Sequence, residues 1–187
     1  MTLRSNADGN MSFTRVPAAR LADNGVAVCY PDGTYKINGQ VYQPKGSKTC
    51  GIQEAVNALP VGGVGTPGGG TIVLAHGIFK TANTIYMPSY QSNSYSLKFI
   101  GAGIASSGIL MTNLIPHEVM RIDPAANGNT NQINFYMAHL FMSSVTNATT
   151  NLLALNGAFD SGGNFHGCIG GGRITDCLFG WWNGMTN

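Results

Sequence analysis

Residues 49–60 read TCGIQEAVNALP, residues 61–70 VGGVGTPGGG, residues 71–81 TIVLAHGIFKT, residues 83–89 NTIYMPS and residues 96–111 SLKFIGAGIASSGILM. The first piece is helical by spacing: Ile52, Ala55, Val56 and Leu59 fall at i, i+3, i+4 and i+7, one apolar stripe. Thr49 is placed to cap its start through the side-chain oxygen. Pro60 ends it by lacking an N–H and clashing with the preceding turn. The pieces after the glycine run are rich in β-formers and bounded by Gly, Pro, Asn and Ser, which predicts short strands. A lone helix ahead of many short strands reads as a cap, its stripe plugging the first layer of a β core.

Upstream, residues 1–24 show no period and read as a mobile or partner-dependent arm. Over 25–48, Pro31-Asp32-Gly33 and Asn38-Gly39 punctuate three β-rich runs, a small antiparallel meander beside the helix. Downstream, over 71–187, short strands recur between unequal loops, as in an irregular solenoid. SLKFIGAG near 96, INFYMAHLFMSS near 133 and GRITDCLFGWW near 172 look like equivalent cores, with VMRID near 119 and LLALNG near 152 between them. Each strand is then expected to pair with its equivalent one coil on. Ile133, Phe135 and Met137 alternate onto one face; in the third core Asp176 breaks the alternation and marks a bend.

The order helix with IQEAVNAL, glycine turn, GGGTIVLAHGIFKT, then LKFIGAGIASSGIL is similar to the opening segment of the pectate-lyase-like superfamily, phage tailspike-like chains included. The match covers residues 49–112; Ala75-His76 stands where the family prefers a small residue and Pro, and Phe79 where Tyr is common. The resemblance implies an all-β chain: a single-stranded right-handed parallel β-helix, residues 25–187, with a capping helix at 49–60. It also implies an extracellular or virion-surface setting and a polysaccharide partner. One fold hosts many activities, so function has to be sought in a site.

Composition narrows the classes. The 187 residues suffice for one domain with a sizeable core. Charged residues make up only 10% and glycines number 26, a profile of turn-rich β structure. A net charge of +2 without a Lys/Arg cluster leaves no footprint for nucleic acid. No apolar run is long enough for a membrane-spanning helix, and the N-terminus lacks a signal-peptide core. Cys29, Cys50, Cys168 and Cys177 allow local disulfides, Cys29–Cys50 and Cys168–Cys177, or buried free thiols. Asn10 and Asn147 begin glycosylation sequons.

Chemistry-bearing residues are sparse. Glycoside hydrolysis needs two carboxylates flanking one bond, and Asp123, Asp160 and Asp176 are the only set left once Asp32 is assigned to a turn and Glu54 to a helix surface. If the chain were a lyase, the resemblance would imply carboxylate-bound Ca²⁺ and an arginine base, with Arg121 or Arg173 the candidates; no other cofactor and no metal site is expected. Arg121 and Asp123 share one side of a strand, which an ion pair explains equally well. His76, His117, His139 and His166 are scattered, and Ser107 and Ser161 lack a nucleophile elbow. Adjacent Trp181 and Trp182 must point to opposite faces, so one is free for a sugar or a subunit contact. With no closing helix after them, the sheet is expected to continue in a longer chain or onto another subunit. Two functions follow: a polysaccharide-directed protein, or a non-catalytic structural subunit that self-assembles as a homo-oligomer through its uncapped end.

Overall fold

The computed structural model describes residues 2–5, 11–14, 25–60, 68–87, 95–113, 118–122, 132–145, 151–155, 158–159, 165–166 and 168–180. Within 1–24, β1 (Thr2–Ser5) and β2 (Met11–Thr14) pair antiparallel. The meander consists of β3 (Val26–Cys29), β4 (Tyr35–Ile37) and β5 (Gln40–Tyr42), paired antiparallel in that order. Its first turn is held by the Asp32 carboxylate, which accepts the Thr34 hydroxyl at 2.7 Å and the Thr34 N–H at 2.9 Å. Those two bonds, the hydroxyl's first, hold the Asp32 carboxyl below the usual range. Its second turn places Asn38 and Gly39 at φ 54° and 83°, the left-handed pair that a tight hairpin requires.

Helix α1 (Ile52–Asn57) is six residues long, shorter than the 49–60 stretch. Thr49 does serve its start, since its Oγ1 accepts the Gln53 N–H at 3.2 Å. Gly51, at φ 74°, precedes the first turn, and a Cβ there would run into the Gly33 carbonyl. At the other end the Ala58 N–H bonds Glu54 and Ala55 and the Leu59 N–H bonds Val56, so the chain turns out of the helix before Pro60. Ile52, Ala55 and Val56 are fully buried and Leu59 nearly so.

The remaining strands are β6 (Gly68–Leu74), β7 (Gly77–Thr81), β8 (Ile85–Met87), β9 (Tyr95–Gly101), β10 (Ser107–Met111), β11 (Met120–Ile122), β12 (Gln132–Ser144), β13 (Leu153–Leu155), β14 (Ala158–Phe159), β15 (Phe165–His166) and β16 (Cys168–Phe179). Among the described residues the main sheet has nine strands in the order β5-β4-β3-β6-β9-β12-β10-β7, with β16 also on β12. A second sheet, β13-β11-β8, is parallel throughout. β14 and β15 form a separate antiparallel pair.

This topology corrects the single-stranded parallel β-helix expected from the resemblance. The main sheet is mixed, because the β3-β4-β5 hairpins build onto it antiparallel while β3 meets β6 in parallel, and among the described residues no closed or solenoid sheet is found. The physical reason lies at the tight turns of residues 31–33 and 38–39, which leave antiparallel pairing as the only partner choice for β4 and β5.

What fixes the parallel registers is a set of apolar columns, one residue per strand. Ala27, Ile72, Phe99, Met137 and Ile174 align across β3, β6, β9, β12 and β16. Phe79, Ile109, Met142 and Phe179 align across β7, β10, β12 and β16. In both columns every member before the β16 residue is fully buried. Burial of each large side chain is worth about 1.5–3 kcal/mol, and a one-residue slip would turn a whole column outward.

β12 serves two neighbours in succession. Its first half pairs β9 and its last residues pair β10. The change is made at His139, φ 58°, where the inward phase passes from Phe135 and Met137 to Leu140 and Met142. Asp176, φ 50°, makes the same adjustment in β16, so that Cys177 continues the position of Leu140 as Ile174 continues Met137. Beside this bend a Cβ on Gly101 would strike the His139 carbonyl, which explains a glycine there.

Candidate functional site: a clamped side, an open edge and an outer groove

The helix side is closed by side chains acting as backbone. The Gln53 Oε1 accepts the Tyr86 N–H at 2.6 Å and its Nε2 donates to the Tyr86 carbonyl at 2.9 Å, so one amide completes the free edge of β8. Glu54 is not simply solvated on the helix surface: its carboxylate accepts the Ser47 hydroxyl at 3.0 Å and the Thr49 hydroxyl at 3.2 Å. Ser47 Oγ in turn accepts the N–H groups of Gly51 and Thr49. These groups line a polar cavity of about 460 Å³ with Lys48, Asn57, Asn83 and Tyr86. The polar side-chain atoms of Ser47, Thr49, Gln53 and Glu54 are spent on holding the chain.

Among the described residues, the catalytic candidates Arg121, Arg173 and Asp176 each have other partners. Arg121 pairs with Glu118 at 3.3 Å. Asp176 is largely exposed and lies 3.4 Å from His139 Nδ1, its neighbour across the bend. Arg173 donates to the Thr175 hydroxyl at 3.2 Å. Asp123, Asp160, His117, Ser161, Asn10, Asn147, Trp181 and Trp182 lie outside the described residues. Ser107 is buried and structural: its Oγ accepts the Ala102 N–H at 2.8 Å and donates to the Ala75 carbonyl at 2.9 Å. Among the described residues no group of three or more His, Cys, Asp or Glu side chains could hold a metal ion. Nor is any helix among them long and apolar enough to cross a membrane.

Cys29, Cys50 and Cys177 are free thiols, one of the two alternatives the sequence left open, and the Cys168 side chain lies outside the described residues. Cys29 points into the core, whereas the Cys50 thiol, at φ 54°, is turned onto the Pro31 carbonyl at 3.2 Å. The Cys177 thiol donates to the Thr175 carbonyl at 3.4 Å. Burial raises all three thiols, Cys29 furthest, to about 12, with the nearby charges of Cys50 and Glu54 adding to it. They are protonated near neutrality and poor nucleophiles.

Two surfaces remain. At the first, β16 has β12 as its only partner strand among the described residues, and Ile174, Leu178 and Phe179 are 42%, 58% and 39% exposed. β13 likewise ends the smaller sheet among the described residues and leaves Leu155 exposed. The second is a groove of about 630 Å³ on the outer face of β7, β10, β12 and β16, lined by His76, Ile78, Ile104, Ser106, Phe141 and Leu178 among others. Sequence reasoning found neither Gln53 as a clamp nor the groove. The signal for the groove was present in the equivalence of Ile78, Gly108, Phe141 and Leu178, which only the registers reveal.

Comparison with family models, with curated proteins and with solved structures finds no match to this chain, so nothing identifies a pectate-lyase-like family.

Proposed function

We propose that the chain is a non-catalytic structural subunit that self-assembles by adding a second copy along the β16 edge. The observation that carries this reading is the edge of β16, a twelve-residue strand paired among the described residues with β12 alone, on which the core columns end in half-exposed Ile174 and Phe179. A strand edge offers unpaired N–H and C=O groups, and an added strand satisfies them while covering the apolar ends. A second copy fits by charge. Arg173 and Asp176 are exposed and of opposite sign on one strand. In an antiparallel pairing about a two-fold axis between residues 174 and 175, Arg173 would lie across from Asp176 of the partner subunit, which makes the edge self-complementary in charge. The polysaccharide reading gains no observation, since of its three candidate carboxylates only Asp176 lies among the described residues.

Sedimentation velocity over a range of concentrations tests the assignment. The wild-type chain should associate reversibly, Arg173→Glu should weaken association about tenfold by setting like charges opposite, and Arg173→Glu with Asp176→Lys should restore part of it. A wild-type chain that stays monomeric throughout overturns the reading.

A further inference from the structure

We infer that the outer groove is a binding site for a small, uncharged, mainly apolar molecule that carries a ring and one hydrogen-bonding group. Its floor follows from one missing side chain. Ile78, Gly108, Phe141 and Leu178 share the outward face in register, and the Phe141 ring lies where a Cβ on Gly108 would stand. The ring is thereby laid down against the strand, leaving a hollow walled by Ile78, Ile104 and Leu178. Its volume of about 630 Å³ falls within the range of small-molecule sites, about 300–1,000 Å³.

The lining chooses the ligand class. No Asp, Glu, Lys or Arg contributes to it, so a charged ligand would lose its hydration without gaining a partner. Only His76, Ser106 and Ser143 bring polar side chains, too few for the hydroxyls of a sugar chain. Ser143 supplies the specific anchor. It follows Phe141 by one full pleat on the same face of β12, it is 3% exposed, and its Oγ has no hydrogen-bond partner. A buried hydroxyl left unpaired costs about 1–3 kcal/mol, a cost relieved when χ1 turns it toward a ligand acceptor or donor. The site lies on the outer face of the sheet and does not depend on the assembly reading.

Nile red, a neutral ring system with a carbonyl acceptor, is a suitable probe for the full chain, read by fluorescence titration and by competition with 2-naphthol or 2-methylnaphthalene. The expected result is saturable one-site binding. Gly180→Phe should abolish it, because Gly180 lies at the rim and a side chain there meets open space, so the variant blocks the groove without disturbing the fold. Ser143→Ala should weaken 2-naphthol about five- to tenfold and leave 2-methylnaphthalene unchanged. Absence of saturable binding, or binding that survives in a folded Gly180→Phe, overturns the proposal. Equal effects of Ser143→Ala on both competitors remove Ser143 as the anchor and with it the stated ligand class.

Discussion

Around α1 the sheets end on buried side chains and satisfied backbone, whereas at β16 the same apolar columns end half in water. Residue type does not separate the two regions, since Ile52 and Val56 on one side and Ile174 and Phe179 on the other are equally apolar. What differs is whether a further element, among the described residues, lies over them. Ile52 and Val56 are fully buried, while Ile174 is 42% exposed, though Met137 directly beneath it is buried. A column is thus stabilised by the neighbour it has on each side, and the last member gains only half of that.

The strongest way to break this contrast is to place the same charge on both sides. Val56→Asp buries a carboxylate with no partner and should cost about 4 kcal/mol or more, enough to unfold or aggregate a marginally stable domain. Ile174→Asp, at a column end that is 42% exposed, should shift stability by only about 1 kcal/mol. Denaturant melts of the two variants settle the matter. Unchanged melting of Val56→Asp would refute the plug.

The contrast sharpens with pH. Cys29, on β3, has its thiol raised from an ordinary value of 9.0 to about 12, first by burial and then by the charges of Cys50 and Glu54. The folded state holds this proton more tightly than the unfolded chain does. Its contribution to stability is therefore complete below the unfolded value and is lost as pH rises from there through the folded one. Between pH 7 and pH 10 the loss should be about 1.4 kcal/mol, read as the difference in pH dependence between wild type and Cys29→Ala. Cys177, only partly buried at the open edge, is raised in the same direction and should react with a thiol probe well before Cys29 does. Equal labelling rates would mean that the two regions are equally protected.

How much of this was legible depended on range along the chain. The stripe of Ile52, Ala55, Val56 and Leu59, the Thr49 cap and the turns at Asp32 and Asn38-Gly39 are local devices, each set by a few neighbouring residues, and sequence spacing reports them directly. The bend at Asp176 was visible as a broken alternation. The mixed sheet was not visible, because whether β3 accepts β4 on one edge and β6 on the other is decided by partners far apart in sequence. The opening-segment resemblance reports helix and glycine turn, not closure. For the surfaces, the side-chain pattern marks Phe141 and Leu178 only as apolar residues in strands; that both join Ile78 around Gly108 on one outer face follows from registers. Asp176 and Arg173 were singled out for catalysis by residue type, yet each sits where a bend or an edge needs a polar side chain.

The smallest expected effect tests the clamp. Gln53 uses both ends of one amide on the Tyr86 backbone, and α1 has no other side chain bonded to β8. Gln53→Ala removes both hydrogen bonds to Tyr86 and the Nε2 donation to Asn57 at 3.0 Å, but leaves Tyr86 N–H and C=O near solvent, where water replaces part of the loss. The net cost should be about 1 kcal/mol. Gln53→Glu keeps the acceptor and loses the donor, setting its carboxylate against the Tyr86 carbonyl, and should cost at least as much despite its closer size. Hydrogen exchange distinguishes this from general destabilisation: the Tyr86 amide should lose protection in both variants while the Phe99 amide keeps it. If Tyr86 exchanges no faster in Gln53→Ala, the edge of β8 is closed by the stripe alone, and the difference between the two sides of the molecule lies in packing and not in backbone satisfaction.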